Sequence, residues 1–339
     1  MACVEEEEDG WFMEPLFHDF PGLFPHKDAE EEAQRQRMEA ARLRKEAEQA
    51  RKQEERRRRA SGHREVMNSI LEYDPKTGRE VYTRYCFTDF SVFDIDEELA
   101  TYSQTCTIPG LDLEDSGNIL SVKIVSSDRG FPINVYGTII VRDSIDHKCI
   151  YLFNRSKEDY QTINSEEESL ILTGPGRGLV LLDFLYVEIN LKVKVDERLQ
   201  ASKSVRYATI LNAVEATFEI EILKGHFCGE IKAGIEGVEE KIVIHSSTED
   251  GVVTRGDRTV IKLRRRVMTI CLDRMLTFEF VSEGCRLCGG APKATSEWKV
   301  DFTPQRRGDE EAKVTYGAGN FLVKVVWSMM DLLDRSPVA

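Results

Sequence analysis

The sequence predicts a mainly β protein: an antiparallel β-sandwich preceded by a long charged α-helix and a disordered acidic N-terminus. From about Val81 onward, apolar residues recur with a period of two, and few helical patterns separate these segments, which argues against βαβ units. Charge is also uneven. Residues 1–33 carry one Lys against eleven acids, whereas 34–64 carry twelve basic residues against five Glu. The predicted regions are a leader (1–27), a charged helix (28–64), a linker (65–80), a sandwich (81–330) and a tail (331–339).

The leader contains an aromatic cluster surrounded by acids. Pro15, Pro21 and Pro25 interrupt it, so no long helix can run through it. Two interpretations stay open: a disordered tail with a few residues that dock on the chain's own body, or a short recognition motif with apolar anchors. The cluster consists of Trp11, Phe12, Leu16, Phe17, Phe20, Leu23 and Phe24.

Composition excludes several classes of protein. The first residues are acidic and lack an apolar segment, so we expect no secretory signal, a cytoplasmic or nuclear location, and eight Cys present as reduced thiols. No apolar run approaches the roughly 20 residues that a membrane span needs. The net charge of −14 is unlike that of a protein that binds DNA over its general surface. We therefore expect neither DNA nor a membrane as a partner.

Residues 28–64 predict one helix because they are almost entirely strong helix formers. Asp28 is expected to cap its start, and Ser61-Gly62 to end it. Apolar positions such as Met38 and Leu43 are not joined by a sustained a/d seam, so a strong coiled coil is not expected. The default is a solvated helix. The alternative is a basic arm, with Arg56 to Arg59 and Arg64, that meets an acidic protein partner or the RNA of a ribosome. Glu precedes a basic residue by four positions at Glu31-Arg35, Glu48-Lys52, Glu54-Arg58 and Glu55-Arg59.

The sandwich is predicted from alternating strands. In one of them, Val187 and Ile189 alternate with Glu188 and Asn190, which indicates one buried face. Lys224-Gly225, between two apolar runs, predicts a hairpin turn. The longer predicted strands cover 185–195, 218–222, 276–280, 298–302 and 321–327. Shorter strands are expected at 119–126, 133–142, 148–153, 169–173, 241–246 and 259–271.

Several segments of this body resemble one known family. They include Phe-Thr-Asp-Phe-Ser at 87–91, Gly-Phe-Pro-Ile-Asn-Val-Tyr-Gly-Thr at 130–138, Arg-Asp-Ser-Ile-Asp at 142–146, and the stretch 163–179. Together they are similar to an uncharacterised plant domain-of-unknown-function family that is β-rich and common in cereals. Similar domains form the C-terminal part of jasmonate-induced ribosome-inactivating proteins. The resemblance covers about 81–330. It implies a stress- or defence-related role, and it carries over no catalytic residue, because none is established for the family.

Two motifs resemble ligand sites. Gly174-Pro175-Gly176-Arg177-Gly178 is rich in glycine like a phosphate-binding loop, but no Gly-Lys-Ser/Thr opens a helix after it. A turn that needs positive φ explains these glycines without a ligand. Cys285 and Cys288 form a CxxC pair, which is half of a tetrahedral zinc site. The other half would have to come from His226, Cys228 or His245, so two unpaired thiols are the preferred interpretation.

Charged clusters are the remaining candidates. Asp143 and Asp146, followed by His147, have a spacing that could hold a metal, but a solvated hairpin tip is the preferred interpretation. On one strand, basic residues could form a patch, or could pair with Glu219 and Glu221 across the sheet. They are Lys262, Arg264 and Arg266, with Arg265 between them.

These observations favour a non-catalytic interaction module with no catalytic residue, no cofactor and no metal. The alternative is an rRNA N-glycosidase-associated protein of the ribosome-inactivating type that affects translation. Glu39-Ala40-Ala41-Arg42 is similar to the Glu-Ala-Ala-Arg segment of such enzymes. In the predicted helix, however, no apolar pocket could form around Glu39 and Arg42 to tune either group.

Overall fold

The computed structural model describes residues 25–74, 78–98, 113–194, 201–254, 259–282, 296–316 and 319–330. The chain divides into two compact units, with the boundary between Asn68 and Ser69. In the part of the chain that the structure describes, the first unit contains one long helix and the second contains all the strands. Neither helix among the described residues has the length and apolar character needed to cross a membrane.

Helix α1 spans Pro25–Ser69 and is longer than predicted. The stop expected at Ser61-Gly62 is wrong, because Gly62 does not adopt positive φ and helix-compatible residues follow it. Part of the expected linker is also structured. Strands β1 (Leu71–Asp74) and β2 (Arg79–Tyr82) form a hairpin, and Gly78 before β2 has φ of 68°. The leader residues up to Phe24, with the aromatic cluster, lie outside the described residues, as does the tail 331–339.

The second unit is mainly β, and the strand pairs among its described residues are all antiparallel, as predicted. One short helix, α2 (Ser247–Asp250), interrupts the strands. The remaining strands are β3 (Glu114–Ser127), β4 (Ile133–Arg142), β5 (Ile150–Arg155), β6 (Gln161–Ile163), β7 (Leu179–Val180), β8 (Tyr186–Val193), β9 (Ala201–Lys224), β10 (His226–Phe227), β11 (Glu230–Ile235), β12 (Ile242–Ser246), β13 (Val253–Thr254), β14 (Thr259–Val260), β15 (Val267–Cys271), β16 (Leu276–Ser282), β17 (Ser296–Phe302), β18 (Gly308–Tyr316) and β19 (Gly319–Ser328).

The strand β9, 24 residues long, organises the unit. It belongs to a seven-stranded sheet of order β18-β19-β9-β3-β7, in which β14 and β15 also pair with β9. The first half of β9 pairs with β3, and its second half with β19. Two four-stranded sheets, one built on β4 with β5, β6 and β8 and the other of order β12-β11-β16-β17, supply the facing layers.

Each facing sheet has its own core against the central sheet. In one core, Phe218 of β9 meets Phe278 of β16 with ring centroids 5.0 Å apart. In the other, Ile124 of β3 lies in one buried cluster with Val135 and Ile139 of β4. Two adjacent sandwich layers therefore share one central sheet, which agrees with the predicted antiparallel sandwich.

Some predicted strands differ from those observed. Lys224-Gly225 does not form a hairpin, because β10 after it pairs with β13 rather than with β9. Gly225, with φ of 83°, turns the chain out of the central sheet instead. No strand forms at 169–173, where Ser169 makes only an isolated bridge to Lys123. The expected strand 259–271 is split into β14 and β15. The alternation missed β11 and β18.

Candidate functional site

Two strands of the β4-centred sheet place opposite charges next to each other on its outward face. Arg142 ends β4 and lies opposite Tyr186 of β8, so Glu188, two residues further along β8, is its diagonal neighbour. The Nε of Arg142 donates to Oε1 of Glu188 over 2.6 Å. Both side chains are almost fully buried, at 1% and 4% exposure. Glu188 was expected on the polar side of its strand. Its burial therefore requires another segment of the chain to pack over that side.

The cover is the segment 84–98, which we call the strap. Arg84 donates from Nε to Oε2 of Glu188 at 3.0 Å and from Nη1 to Oδ1 of Asp96 at 2.5 Å. The backbone nitrogen of Tyr85 donates to Oε1 of Glu188 at 3.0 Å. Glu188 thus accepts three hydrogen bonds. We call Arg84, Arg142 and Glu188 the ionic centre.

The electrostatics of the ionic centre follow from burial and pairing. Desolvation by itself would raise the pKa of Glu188, but the hydrogen bonds from Arg142, Tyr85 and Arg84 outweigh it and hold this pKa below its ordinary value. Desolvation likewise opposes the charge of Arg84, and Asp96 and Glu188 outweigh it, so the pKa of Arg84 is raised. Glu188 and Arg84 are therefore both charged at neutral pH.

The far end of the strap is held by the β4–β5 connection. Nη2 of Arg142 donates to the carbonyl oxygen of Ile95 at 2.7 Å. The backbone nitrogen of Cys149 donates to the carbonyl oxygen of Glu97 at 2.8 Å, and Cys149 forms a parallel bridge with Glu98. The strap is thus fixed at both ends, mostly by side chains of the sheet that it covers.

An aromatic cluster lies next to the ionic centre and the strap. We call Tyr85, Phe87, His147, Phe184 and Tyr186 the aromatic patch. The Tyr85 ring lies at its centre, 5.2 Å from His147, 5.3 Å from Tyr186 and 6.0 Å from Phe87 between ring centroids. Tyr85 is 2% exposed, but Phe87 is 72% and Phe184 is 39% exposed. Large apolar rings therefore face solvent on a rigid support.

The pair Asp143 and Asp146 does not form the solvated tip that the sequence indicated. Asp143 is fully buried, and both its oxygens accept from Arg177 of the glycine-rich loop. Nη2 of Arg177 also lies 3.6 Å from Oδ1 of Asp146. Burial lowers the pKa of His147, against the effect of both aspartates, so its ring is neutral at pH 7. The structure thus joins two of the predicted clusters into one ion-pair network.

Two glycines of that loop, Gly174 and Gly178, are explained by close packing rather than by positive φ, which corrects the expectation from sequence. A Cβ on Gly174 would lie 2.7 Å from the Cβ and 2.9 Å from the Cα of Arg265, and neither Gly174 nor Gly178 has positive φ. A Cβ on Gly178 would lie 2.6 Å from Cγ2 of Thr269. The loop packs against the protein's own strands instead of opening toward a phosphate.

The basic residues from Lys262 to Arg266 have separate surroundings. Arg264 pairs with Asp250 at 2.9 Å, and Glu221, which was an expected partner, pairs with Lys324 at 2.6 Å. Arg265 is buried, and desolvation lowers its pKa to about 10. Its Nη1 donates to the carbonyl oxygen of Ile119 at 3.1 Å. Within the described ranges, no carboxylate lies at ion-pair distance from Arg265.

The expected zinc donors are not brought together as thiols. Cys228 is disulfide-bonded, so it offers no thiolate, and the expectation of reduced cysteines is wrong at this position. Cys86, Cys149 and Cys271 are free. Cys285 and Cys288 lie outside the described residues. Among all the described residues of the chain, no group of three or more His, Cys, Asp or Glu could hold a metal ion.

The segment similar to a glycosidase lies on the exposed surface of α1. Glu39 and Arg42 are both exposed, and Arg42 pairs with Glu46 at 3.5 Å. An exposed helix face supplies neither the low-dielectric surroundings nor the stacking rings that would tune these groups for catalysis.

The roles of Arg84, Tyr85 and Glu188 were not predicted from the sequence. Glu188 followed the normal alternation of β8, so nothing distinguished it from a solvated residue. The available signal was the high density of aromatic residues and acids at 87–98, which is unusual for a connection and suits a segment that packs on a sheet. The charged groups of the ionic centre bind one another and so have a structural role. The arrangement can support the aromatic patch as an apolar surface, but it does not offer these charges to a ligand.

These features define a mainly β domain of two adjacent antiparallel layers on a shared sheet, with an aromatic patch on an ionic centre. One family model, described as a domain of unknown function (DUF6598), matches residues 116–205 and 202–325. This is more than half of the chain, so the protein belongs to the DUF6598 family. No curated protein and no solved structure shows significant similarity to the chain.

Proposed function

We propose that the β domain is a non-catalytic interaction module and that the aromatic patch is its docking surface. The observation that carries this proposal is the exposure of Phe87 and Phe184 next to the buried Tyr85. Exposed rings on a rigid base bury a large apolar area at low entropic cost when a partner binds. Contiguous exposed apolar surface of this kind is typical of binding sites.

Charge specifies the class of partner. The strap contains Asp89, Asp94, Asp96, Glu97 and Glu98; Asp96 pairs with Arg84 and Glu97 with Lys148, and counting these two bases the balance is −3. A protein segment that presents a basic side chain next to an apolar one suits both features, because aromatic faces attract cations. A stress- or defence-related role follows only from the resemblance to jasmonate-induced ribosome-inactivating proteins, and no structural observation favours the glycosidase alternative.

A peptide array tests the docking surface. Full-length protein is applied to short peptides that vary independently in charge and in apolar content. We expect retention on basic–apolar peptides, loss of retention in Phe87→Ser, and no loss in Val92→Ser, since Val92 is 63% exposed on the same strap. Equal retention by the two variants, or no retention by the wild type, would reject the proposal.

A cytoplasmic or nuclear location is also part of the proposal. The Cys228 disulfide weighs against it, because disulfides are rare in reducing compartments. Alkylation of thiols in intact cells, followed by mass spectrometry of the Cys228 peptide, measures its redox state in place. A fully oxidised Cys228 would reject the proposed location without affecting the docking surface.

A further inference from the structure

The charges of helix α1 repeat every seven residues. With Ala33 taken as heptad position a, the two positions that flank the a/d seam carry opposite charges. Position e holds Arg37, Arg44, Arg51 and Arg58, and position g holds Glu32, Glu39 and Glu46. Up to Ala50, positions a and d hold Ala33, Gln36, Ala40, Leu43, Ala47 and Ala50; the next two hold Glu54 and Arg57, so the uncharged seam ends at Ala50. All these side chains are exposed.

Ion pairs within α1 are formed mainly by residues outside heptad positions e and g. Glu48 binds Lys52 at 2.7 Å, and Glu55 binds Arg59 at 2.7 Å, which joins positions b and f on the side of the helix away from the seam. Within the described part of the chain, the e-position arginines form no ion pair. Of the g-position acids, only Glu46 does, with Arg42 at 3.5 Å. Apart from Glu46, the charges beside the seam are therefore available to another helix.

The register of these charges selects both the partner and its direction. In a parallel, in-register pair, each g residue faces the e residue of the next heptad on the other helix. Glu32 then meets Arg37 of a second copy, and Glu39 meets its Arg44. In an antiparallel pair, e faces e and g faces g, so that like charges meet and oppose association. An isologous pairing of two identical chains thus pairs all of these charges except that of Arg58, which faces Gln53.

We propose that α1 associates with α1 of a second copy as a parallel, in-register coiled coil over residues 32–51. Alanine at the a positions allows the two axes to approach closely but buries little apolar surface. Leu43 is the one large apolar residue among the six seam positions. The pairing is therefore weak and specified by charge, which is compatible with the absence of a strong apolar seam.

Charge swaps in the full-length protein test this proposal by sedimentation velocity over a concentration series. The first half-swap, E32R/E39R/E46R, places Arg at both flanking positions, and the second, R37E/R44E/R51E, places Glu at both. The full swap combines all six changes and keeps the net charge of the wild type. A control, R35E/K45E/R56E, makes the same charge change as the second half-swap at the outward c and f positions. Circular dichroism checks that helicity is retained in every variant.

We expect a wild-type dimer that weakens as salt is raised, because exposed pairs are screened. Each half-swap should weaken dimerisation at least about tenfold, because three favourable contacts on each side of the pair become repulsive. An equimolar mixture of the two half-swaps, the full swap alone and the control should all dimerise. A wild type that stays monomeric at about 0.1 mM, or half-swaps that dimerise like the wild type, would overturn the proposal.

Discussion

Replacing Glu188 with Gln tests whether the ionic centre holds the strap in place. Glu188 is 4% exposed, accepts from Arg142 at 2.6 Å and from Arg84 at 3.0 Å, and Arg142 is itself 1% exposed. Removal of one partner from a buried ion pair costs about 3–5 kcal/mol, because the remaining charge stays buried without compensation. At about 2 °C per kcal/mol for a domain of this size, the thermal midpoint at pH 7 should fall by roughly 6–10 °C.

The pH dependence provides a second measurement with a definite sign. The pKa of Glu188 is below its ordinary value of 4.5 in the folded protein. A carboxylate with a depressed folded pKa stabilises the fold above its unfolded pKa, and this stabilisation is lost as pH falls through the folded pKa. The wild type should therefore lose stability as pH falls below about 4.5. Glu188→Gln should lack this part of the acid transition, so the two curves should converge at low pH.

A matched control separates burial from simple loss of charge. Glu297 is 51% exposed and lies 3.3 Å from Lys299. Glu297→Gln should cost less than about 1 kcal/mol, because exposed ion pairs contribute little. Differential scanning calorimetry of the three proteins at several pH values measures both effects. If the midpoint of Glu188→Gln stays within the range of the control at pH 7, the reasoning about the ionic centre is refuted.

Two further substitutions test the packing around Arg265. Gly174→Ala should destabilise the domain by about 1–3 kcal/mol in urea unfolding, because the new methyl group would meet the backbone of Arg265 at 2.9 Å. Gly62→Ala, which has open space in α1, should not, and a harmless Gly174→Ala would contradict the packing. Arg265→Met should stabilise the domain by about 1–2 kcal/mol. The lowered pKa of Arg265 corresponds to a desolvation cost of about 3 kcal/mol, and the lost hydrogen bond to Ile119 offsets part of it. A lower unfolding midpoint in Arg265→Met would show that the buried charge is compensated.

Local sequence patterns predicted the positions of several strands well, but predicted the length of β9 and the end of α1 poorly. The predicted strand 133–142 coincides with β4, and 276–280 lies within β16, because alternation is a property of the strand itself. The length of β9 was not predictable, since its first half alternates weakly and gains its partners from β3. The helix end was misplaced because Gly62 indicates a stop only when the chain takes positive φ there.

The candidate site was less predictable than the fold, for a physical reason. Arg142 and Glu188 lie 46 positions apart, and Arg84 lies 104 positions from Glu188. Sequence spacing carries no information about such pairs. Asp143 and Arg177 were each noticed separately, but their ion pair needed the loop after 173 to return to the end of β4. The Gly-rich motif therefore resembled a ligand loop and functions as a packing loop.

The ionic centre does more than form a buried ion pair, because its side chains also bind the backbone of the strap. A buried pair is weak evidence for stability as such, since apolar residues of the same volume often perform equally well. Here, however, Glu188 also accepts the backbone hydrogen bond of Tyr85, and Arg142 donates to the carbonyl oxygen of Ile95. Side chains of the sheet thus replace the backbone ladder that would normally fix a segment at one register. In Glu188→Gln, hydrogen exchange should accelerate at Tyr85 and along the strap before it does so in β4. Uniform acceleration throughout the domain would show that the ionic centre supports the fold as a whole rather than the position of the strap and of Phe87 upon it.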